Sequence, residues 1–249
     1  MPVVNAYVPE VAEVQSSSSN KGDKVDSGPN TDTGDERETI PLTIDHGETG
    51  MVTNSSGSAR IRVGSTEIIC AVYGPKASQK LSLVESTGQL ECDICFAPFV
   101  EKPAMDSKDD SDTSLEKYMA GIVVESLRSS LMLEKYPKMV ISIAVNVISS
   151  SANTNFDIGT AVTCASLALA DASIAMYDLV TACTALLGGR TRNSNCVTVA
   201  TMQSRAQITN ILFTGRNAGS ELAQAVKQCC ENNAAIRARG RVLLETGRA

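Results

Sequence analysis

The chain of 249 residues has no tryptophan, five tyrosines, four phenylalanines and a single histidine, His46. So few aromatic rings argue against a protein that stacks successive bases of a single strand on its side chains. One histidine excludes histidine-dependent acid–base catalysis unless His46 itself is recruited. No apolar run approaches the roughly 20 residues that a membrane-spanning helix needs. Met1–Asn5 lacks the basic and apolar regions of a signal peptide, so we expect a soluble, intracellular protein with no membrane contact.

Eight cysteines are present, and most stand within apolar runs, where a reduced thiol packs as a small hydrophobic group. Cys92 and Cys95 have the spacing of half a zinc site, but no second pair and no neighbouring histidine completes it. A buried strand explains this spacing better than a metal site does. We therefore predict no bound metal and no cofactor.

The net negative charge of the chain comes from its first 48 residues. The net charge is −6, which argues against a free-standing, non-specific nucleic-acid binder. Residues 1–48 hold ten acidic and three basic side chains, whereas residues 49–249 hold 18 acidic and 19 basic ones. Between Ser16 and Glu38 branched aliphatic and aromatic side chains are nearly absent, so this stretch cannot bury enough surface to fold. We predict a disordered acidic leader over residues 1–39 and one domain over residues 40–249.

The hydrophobic pattern of that domain alternates between strand and helix periods. The predicted strands cover residues 58–63, 67–73, 90–99, 139–148, 180–187, 197–202 and 208–212, with a Gly64-Ser65 turn and a stop at Gly74-Pro75. The predicted helices cover residues 113–133, 160–177 and 218–244, the second apolar on nearly all sides. This order predicts an α+β fold, an α/β sandwich without internal repeats.

Several of these segments resemble one protein family. Residues 57–76, which include the Tyr73-Gly74-Pro75-Lys76 run, are similar to the opening hairpin of the RNase PH family. Residues 162–172 resemble its long central helix, and Leu133–Pro137 and residues 167–180 resemble one ring subunit of the eukaryotic RNA exosome within it. The resemblance covers roughly residues 40–245.

The resemblance implies a ribosomal protein S5 domain 2-like fold that assembles into a ring of six RNase PH-like domains. Its expected partners are other RNase PH-like subunits in a hetero-hexameric ring, cap proteins of the S1/KH type, and RNA threaded through the pore. It also implies residence in the nucleus, including the nucleolus, and in the cytoplasm. In active members, phosphate attacks the last 3′ linkage, which requires an arginine for the phosphate and carboxylates near the scissile bond.

The residues for that chemistry are missing from the matching positions. The family's Gly-Gly-Thr-Arg-Thr run falls on residues 155–159, where Ile158 takes the place of the arginine. An earlier phosphate-binding arginine falls near Leu115. Residues 179–220, where the family carries a carboxylate cluster, contain no Asp or Glu but four arginines. We therefore predict that the chain is not an enzyme and has no catalytic residues. Asp171 and Asp178, which flank the central helix, are expected to be structural.

Four basic residues are the candidates for contact with RNA. Lys76 takes a loop position that family members use at the pore mouth, and Lys80 follows it. Such lysines contact phosphates without reading bases, although an ordinary exposed pair explains them equally well. Arg190 and Arg192 face either RNA or an acidic neighbour, and the sequence does not decide between these.

Three hypotheses for the function follow from these features of the sequence. The first is a scaffold of an exosome-like ring that lines the path of the RNA and supports 3′-to-5′ RNA processing and degradation. The second is an active phosphorolytic 3′ exoribonuclease that borrows carboxylates from an adjacent subunit. The third is an unrelated protein-interaction adaptor. The identity of neighbouring proteins and the release of nucleoside diphosphates distinguish them.

Overall fold

The computed structural model describes residues 5–6, 44–77, 87–100, 112–151, 153–187, 195–215 and 221–247. Its strands are β1 (Asn5–Ala6), β2 (His46–Thr49), β3 (Gly57–Val63), β4 (Thr66–Ala77), β5 (Gln89–Phe96), β6 (Met139–Ser149), β7 (Val180–Leu187), β8 (Asn195–Met202) and β9 (Gln207–Thr214). Its helices are α1 (Asp112–Arg128), α2 (Thr154–Asp171) and α3 (Glu221–Thr246). Within the described ranges no helix is long and apolar enough to cross a membrane.

Two sheets enclose the three helices. One sheet has the strand order β2-β3-β4-β6-β5, and its β5–β6 pair is parallel because α1 lies between these strands in the chain. The other sheet is antiparallel in the order β1-β7-β8-β9. Each helix contacts strands of both sheets: α1 packs on β5 and β9, α2 on β3, β4, β7 and β8, and α3 on β2, β7 and β8. Helices and sheets therefore pack in layers, which agrees with the predicted α/β sandwich.

Helix α2 lies at the centre of this sandwich. All residues from Asn155 to Leu169 are buried, because a helix covered by a sheet on each side has no solvent-facing stripe. Its small side chains let the sheets approach closely. At Gly57 of β3, an added Cβ would lie 2.2 Å from the backbone nitrogen of Ala172, so only glycine fits this contact.

The strands beside α2 follow its axis, β3 and β7 antiparallel to the helix and β4 and β8 parallel to it, and they define two ends of the molecule. At the first, which we call the N-terminal end of α2, Thr66 Oγ1 donates to Asp157 at 3.0 Å and Thr184 Oγ1 donates to the carbonyl of Asn155 at 3.1 Å. At the second, the C-terminal end of α2, Ala172 lies against Gly57. With 18 residues, α2 separates these ends by about 27 Å.

The central helix begins earlier than predicted. It spans Thr154–Asp171 rather than residues 160–177, because the side chain of Asn153 accepts a hydrogen bond from the backbone of Asn155 and caps the helix there. At its other end, Ser173 adopts φ +57° and the backbone of Ile174 donates to Leu169, which closes the helix. The hydrophobic pattern does not detect this start, because the first turn contains polar residues that are nevertheless buried.

Other predicted boundaries also need correction. Strand β4 continues past Gly74-Pro75 to Ala77, and a register shift between Tyr73 and Lys76 accommodates the proline, which has no N–H to donate. Strand β5 ends at Phe96 and α1 at Arg128, both before their predicted ends. The short polar strand β2 was missed because its residues alternate between exposed and half-buried positions at a sheet edge.

Two residues of the predicted leader take part in the fold. Asn5 and Ala6 form β1 and pair with Leu186 and Ala185 of β7. The remaining leader residues lie outside the described part of the chain. The boundary between a leader and a domain near residue 40 stays a prediction.

Candidate functional site

Lys76 is exposed near the end of β4, at the C-terminal end of α2. It lies in a strand after a bulge, rather than in the loop that the sequence predicted. Its backbone is in register with Val140 of β6, and its Nζ lies 5.1 Å from the centre of the Tyr73 ring. A cation above an aromatic face is held in place without being neutralised, so the ammonium stays available to a phosphate.

The other three candidates lie outside the described residues. Lys80 falls in residues 78–86, and Arg190 and Arg192 fall in residues 188–194, so their contacts with RNA stay predictions. Leu187 and Asn195 flank residues 188–194 and pair with each other. They lie at the N-terminal end of α2, because Thr184 of the same strand donates to Asn155 there. These two strand ends therefore lie at the opposite end of α2 from Lys76.

A neutral polar network fills the N-terminal end of α2. The carbonyl of Asn155 accepts from the hydroxyls of Thr184 and Thr198, at 3.1 and 3.2 Å. Its side-chain nitrogen donates to Cys196 Sγ at 2.6 Å and to Thr214 Oγ1 at 2.9 Å. Burial raises the pKa of Cys196, so its thiol carries no charge at neutral pH. The network thus satisfies its own hydrogen bonds and presents no charge to a ligand.

Asp157 is the acidic side chain of this first helical turn, and it is fully buried. Its carboxylate accepts from Thr66 Oγ1 at 3.0 Å, Ser150 Oγ at 2.6 Å and Ser151 Oγ at 3.3 Å. Burial raises its pKa, and these hydrogen bonds act in the opposite direction. A carboxylate so enclosed joins β4 to α2 and cannot coordinate an ion at the surface.

Asp171 and Asp178 make structural contacts, as the sequence predicted. Asp171 accepts from the backbone of Ser58 at 2.9 Å and so fastens the end of α2 to β3. Asp178 accepts from the backbone of Ser204 at 2.7 Å and from Arg237 Nη2 at 2.9 Å. Both carboxylates are therefore occupied at the C-terminal end of α2, away from the neutral network.

The two cysteines of the Cys-x-x-Cys run cannot ligate one ion together. They are three residues apart on β5, so their side chains point to opposite faces of the sheet. Cys92 is half-buried, and burial raises its pKa to about 12, whereas Cys95 is exposed. The prediction that this strand buries both residues is therefore wrong for Cys95. Within the described ranges no three His, Cys, Asp or Glu side chains are grouped so that they could hold a metal ion.

A family model described as "3' exoribonuclease family, domain 1" (RNase PH) matches residues 46–175, more than half of the chain. The chain is also 30% identical over 195 residues to "Exosome complex component RRP41-like" of Arabidopsis thaliana, an alignment that covers 74% of this chain and 73% of that relative. The chain belongs to the RNase PH family. It is 36% identical to "Exosome complex component Rrp41" of Thermococcus gammatolerans, over 56% of this chain and 54% of that protein.

Two solved structures share the fold of this RNase PH-family chain. Rice Rrp46 superposes with a TM-score of 0.62 at 16% identity, over 82% of this chain and 97% of that one. A chain of the Archaeoglobus fulgidus exosome with RNA bound to the active site superposes with a TM-score of 0.63 at 13% identity, over 78% of this chain and 87% of that one. At such identities these matches establish the fold, which agrees with the predicted RNase PH-like architecture.

Two positions that the family resemblance matches to phosphate-binding arginines are buried in this chain. Ile158, which the sequence resemblance puts at the position of the phosphate-binding arginine, is 1% exposed and packs in the core. Leu115, near the second such position, is also buried. An aliphatic side chain facing the core cannot hold an anion at the surface.

Sequence reasoning overlooked further basic side chains at the C-terminal end of α2. Lys135, Lys138 and Arg205 are exposed there, in turns that the hydrophobic pattern leaves unassigned. Each is separated from Lys76 by more than 50 residues, so no local motif joins them. The only signal in the sequence was the run without acidic residues that contains Arg205.

Proposed function

We propose that this RNase PH-family chain is a non-catalytic structural subunit of an exosome-type ring. In this role it completes a hetero-hexameric ring of RNase PH-like subunits and lines the path of the RNA with Lys76, thereby supporting 3′-to-5′ RNA processing and degradation. The name and 30% identity of the Arabidopsis relative support the assignment to an exosome.

The state of the N-terminal end of α2 is the observation that carries the non-catalytic assignment. Phosphorolysis requires a cation for the attacking phosphate and carboxylates near the scissile bond. Instead, Ile158 faces the core, and Asn155 and its threonine partners form a neutral network. The absence of Asp and Glu from residues 179–220 removes the carboxylates from the following hairpin. Asp157, the carboxyl group in the first turn of α2, is buried against Thr66, Ser150 and Ser151 and so does not reach a substrate.

The type of ring subunit, its cap-protein partners and its cellular location are proposed from the sequence resemblance. Leu133–Pro137 and residues 167–180 resemble the exosome ring subunit called mRNA transport regulator 3, and we propose that this chain takes its place. Cap proteins of the S1/KH type are then its further partners, and the nucleus, nucleolus and cytoplasm its locations.

Exposed apolar surface supports a role within an assembly. Ile208 and Ile211 are 46% and 48% exposed on β9, which within the described residues is an edge strand. Exposed apolar side chains on an unpaired edge favour association with another chain. We expect the isolated chain to aggregate.

The native mass of the tagged chain, purified from its own cells, tests the scaffold role. We expect a particle with several RNase PH-like chains, identified by mass spectrometry. A stable monomer, or a small complex without such chains, contradicts the ring and favours an adaptor.

A phosphorolysis assay tests the absence of catalysis. The chain, co-purified with its immediate neighbours, is incubated with an oligoadenylate and inorganic phosphate. If nucleoside diphosphates are released, substitutions in this chain decide their source. We expect Asp171→Asn and Asp178→Asn to leave any such release unchanged. A loss at either one, from a complex whose composition and RNA binding are unchanged, identifies a catalytic carboxylate in this chain and refutes the proposal.

A further inference from the structure

The surface near Lys76 continues into a second basic turn. The strand that pairs with Lys76 begins at Met139, whose backbone donates to the carbonyl of Tyr136 at 3.2 Å and closes a turn around Lys138. Lys138 is exposed in this turn, one residue before the partner of Ala77 in the register. The turn therefore carries Lys138 close to the end of β4 where Lys76 lies.

Hydrogen bonds fasten this turn to the loop that follows α2. Tyr136 Oη accepts from the backbone of Ala175 at 2.9 Å. The backbone of Tyr177 donates to the carbonyl of Ser130 at 2.7 Å, and Leu131 forms a β-bridge with Met176. Residues 130–136 and 174–177 thus form one continuous surface at the C-terminal end of α2.

The turn between β8 and β9 is attached to the same surface. Ser204 donates its backbone N–H to Asp178 at 2.7 Å, and Gln203 Nε2 donates to the carbonyl of Cys230 on α3 at 2.6 Å. Ala206 closes the turn with φ +50°. Because two separate segments hold it, the turn presents the residue between Ser204 and Ala206 in a defined place.

That residue is Arg205, whose guanidinium carbon lies 4.3 Å from the centre of the Tyr177 ring. Tyr177 is 46% exposed. Within the described residues no carboxylate pairs with Arg205, and the nearby Asp178 is occupied by Arg237 at 2.9 Å. A stacked guanidinium keeps the N–H groups at its edge free to donate.

We propose that Arg205, held on the ring of Tyr177, binds a backbone phosphate of single-stranded RNA as a second contact beyond Lys76. The proposal rests on the proposed function only in that RNA reaches this chain. Tyr177 is a positioning residue, because its ring holds the guanidinium flat and covers one of its faces. The planar fork of arginine suits phosphate, and stacking lowers the conformational entropy that binding would otherwise cost.

The distribution of charge favours RNA over an acidic peptide. Exposed basic side chains on four separate segments lie at this end of the molecule and outnumber the exposed Glu134 among them: Lys76, Arg128, Lys135, Lys138 and Arg205. An evenly charged backbone can use such a spaced series, because each phosphate releases counterions independently of sequence.

Binding of a fluorescein-labelled oligouridylate to the complex purified through the full tagged chain tests the proposal. Arg205→Glu is compared with Arg62→Glu, a matched charge reversal at an exposed arginine beside the Gly64 turn, near the N-terminal end of α2. Loss of one phosphate contact weakens binding by roughly fivefold at about 0.1 M salt and lowers the salt slope by about 0.7. We expect this for Arg205→Glu and no change for Arg62→Glu.

Variants of Tyr177 examine the positioning role. Tyr177→Phe keeps the ring and is expected to bind normally, whereas Tyr177→Ala weakens binding less than Arg205→Glu does and leaves the salt slope unchanged. Cross-linking from 4-thiouridine in the same RNA is expected to label the peptide that contains Arg205.

Other outcomes overturn the inference. Unchanged RNA binding by Arg205→Glu refutes the second contact. If Lys76→Glu alone weakens binding, the proposed function stands without it. If both charge reversals leave binding unchanged while RNA still cross-links to other subunits, the RNA path proposed for this chain fails as well. Loss of a co-purifying protein from Arg205→Glu, with RNA affinity unchanged, identifies the partner as a protein.

Discussion

The two ends of α2 are built from similar elements but differ in where their polar groups point. At the N-terminal end, Asn155 and Asp157 turn inward, and their partners are hydroxyls, a thiol and backbone groups of the chain itself. At the C-terminal end, Lys76, Lys138 and Arg205 are exposed, and within the described ranges none of them pairs with a carboxylate.

This difference shows that catalysis and contact with RNA have different structural requirements. Catalysis at the first end would need charged groups around a reacting bond, whereas the network of Asn155 that the structure describes there is neutral and buried. Contact with a polyanion at the second end needs only exposed cations on rigid elements. A chain can therefore lack the reaction and keep a surface suited to RNA.

The largest expected effect comes from placing an arginine at the N-terminal end of α2. Ile158→Arg puts a charge without a partner into a position that is 1% exposed, so we expect a loss of more than about 4 kcal/mol in the opening free energy of α2. Amide hydrogen exchange in the purified complex measures it. Ile158→Val, the matched control, costs about 1 kcal/mol. Phosphorolysis by a well-folded Ile158→Arg variant contradicts the view that this end has no place for a charged group.

Asp178→Ala tests the attachment of the turn at the other end. It leaves the half-buried Arg237 guanidinium and the Ser204 N–H without their carboxylate, at a cost of about 2–3 kcal/mol in local stability. Hydrogen exchange of the β8–β9 turn is expected to rise while that of α2's first turns stays constant. Asp178→Asn keeps one acceptor and should lie in between. Equal protection in all three chains shows that the turn is held by other contacts.

The pH dependence of stability sharpens the comparison at Asp157. Burial raises the pKa of this carboxyl in the folded chain above its ordinary value of 3.8, so the folded state keeps the proton to higher pH than the unfolded state does. The stabilisation is complete below the ordinary value and declines as the pH rises through the folded value. Asp157→Asn removes this decline. The difference in urea midpoint between wild type and variant, followed with pH, measures it, and a difference independent of pH contradicts a raised pKa at Asp157.

The smallest expected effect is a gain in stability. Lys138 adopts φ +59°, so Lys138→Gly relieves backbone strain and stabilises the chain by about 1 kcal/mol. If this lysine contributes to the basic end, RNA binding weakens at the same time. Lys138→Asn, which tolerates this conformation, is the control for charge loss with a side chain retained. A gain in stability with unchanged RNA binding shows that Lys138 does not contribute to RNA binding.

Much of the fold could be predicted from local pattern. Alternation predicted β3 and an apolar run predicted the start of β4, and the Gly64-Ser65 turn between them is present. On α1, the buried faces of Met119, Val123 and Leu127 follow the predicted helical spacing. The start of α2 was missed because Asn155 and Asp157 are polar yet buried, and a hydrophobic pattern detects burial only through apolar residues.

For the candidate site too, one part could be predicted from the sequence and another required the tertiary structure. The sequence by itself supports the proposal of a non-catalytic chain, since the resemblance puts Ile158 at the arginine position and residues 179–220 contain no acidic side chain. The tertiary structure decided which residues meet. Lys76, Lys138 and Arg205 come from distant segments and share one end through the β4–β6 register and the attachment of the β8–β9 turn to Asp178. Such proximity depends on long-range hydrogen bonds and packing, for which no local pattern is a signal.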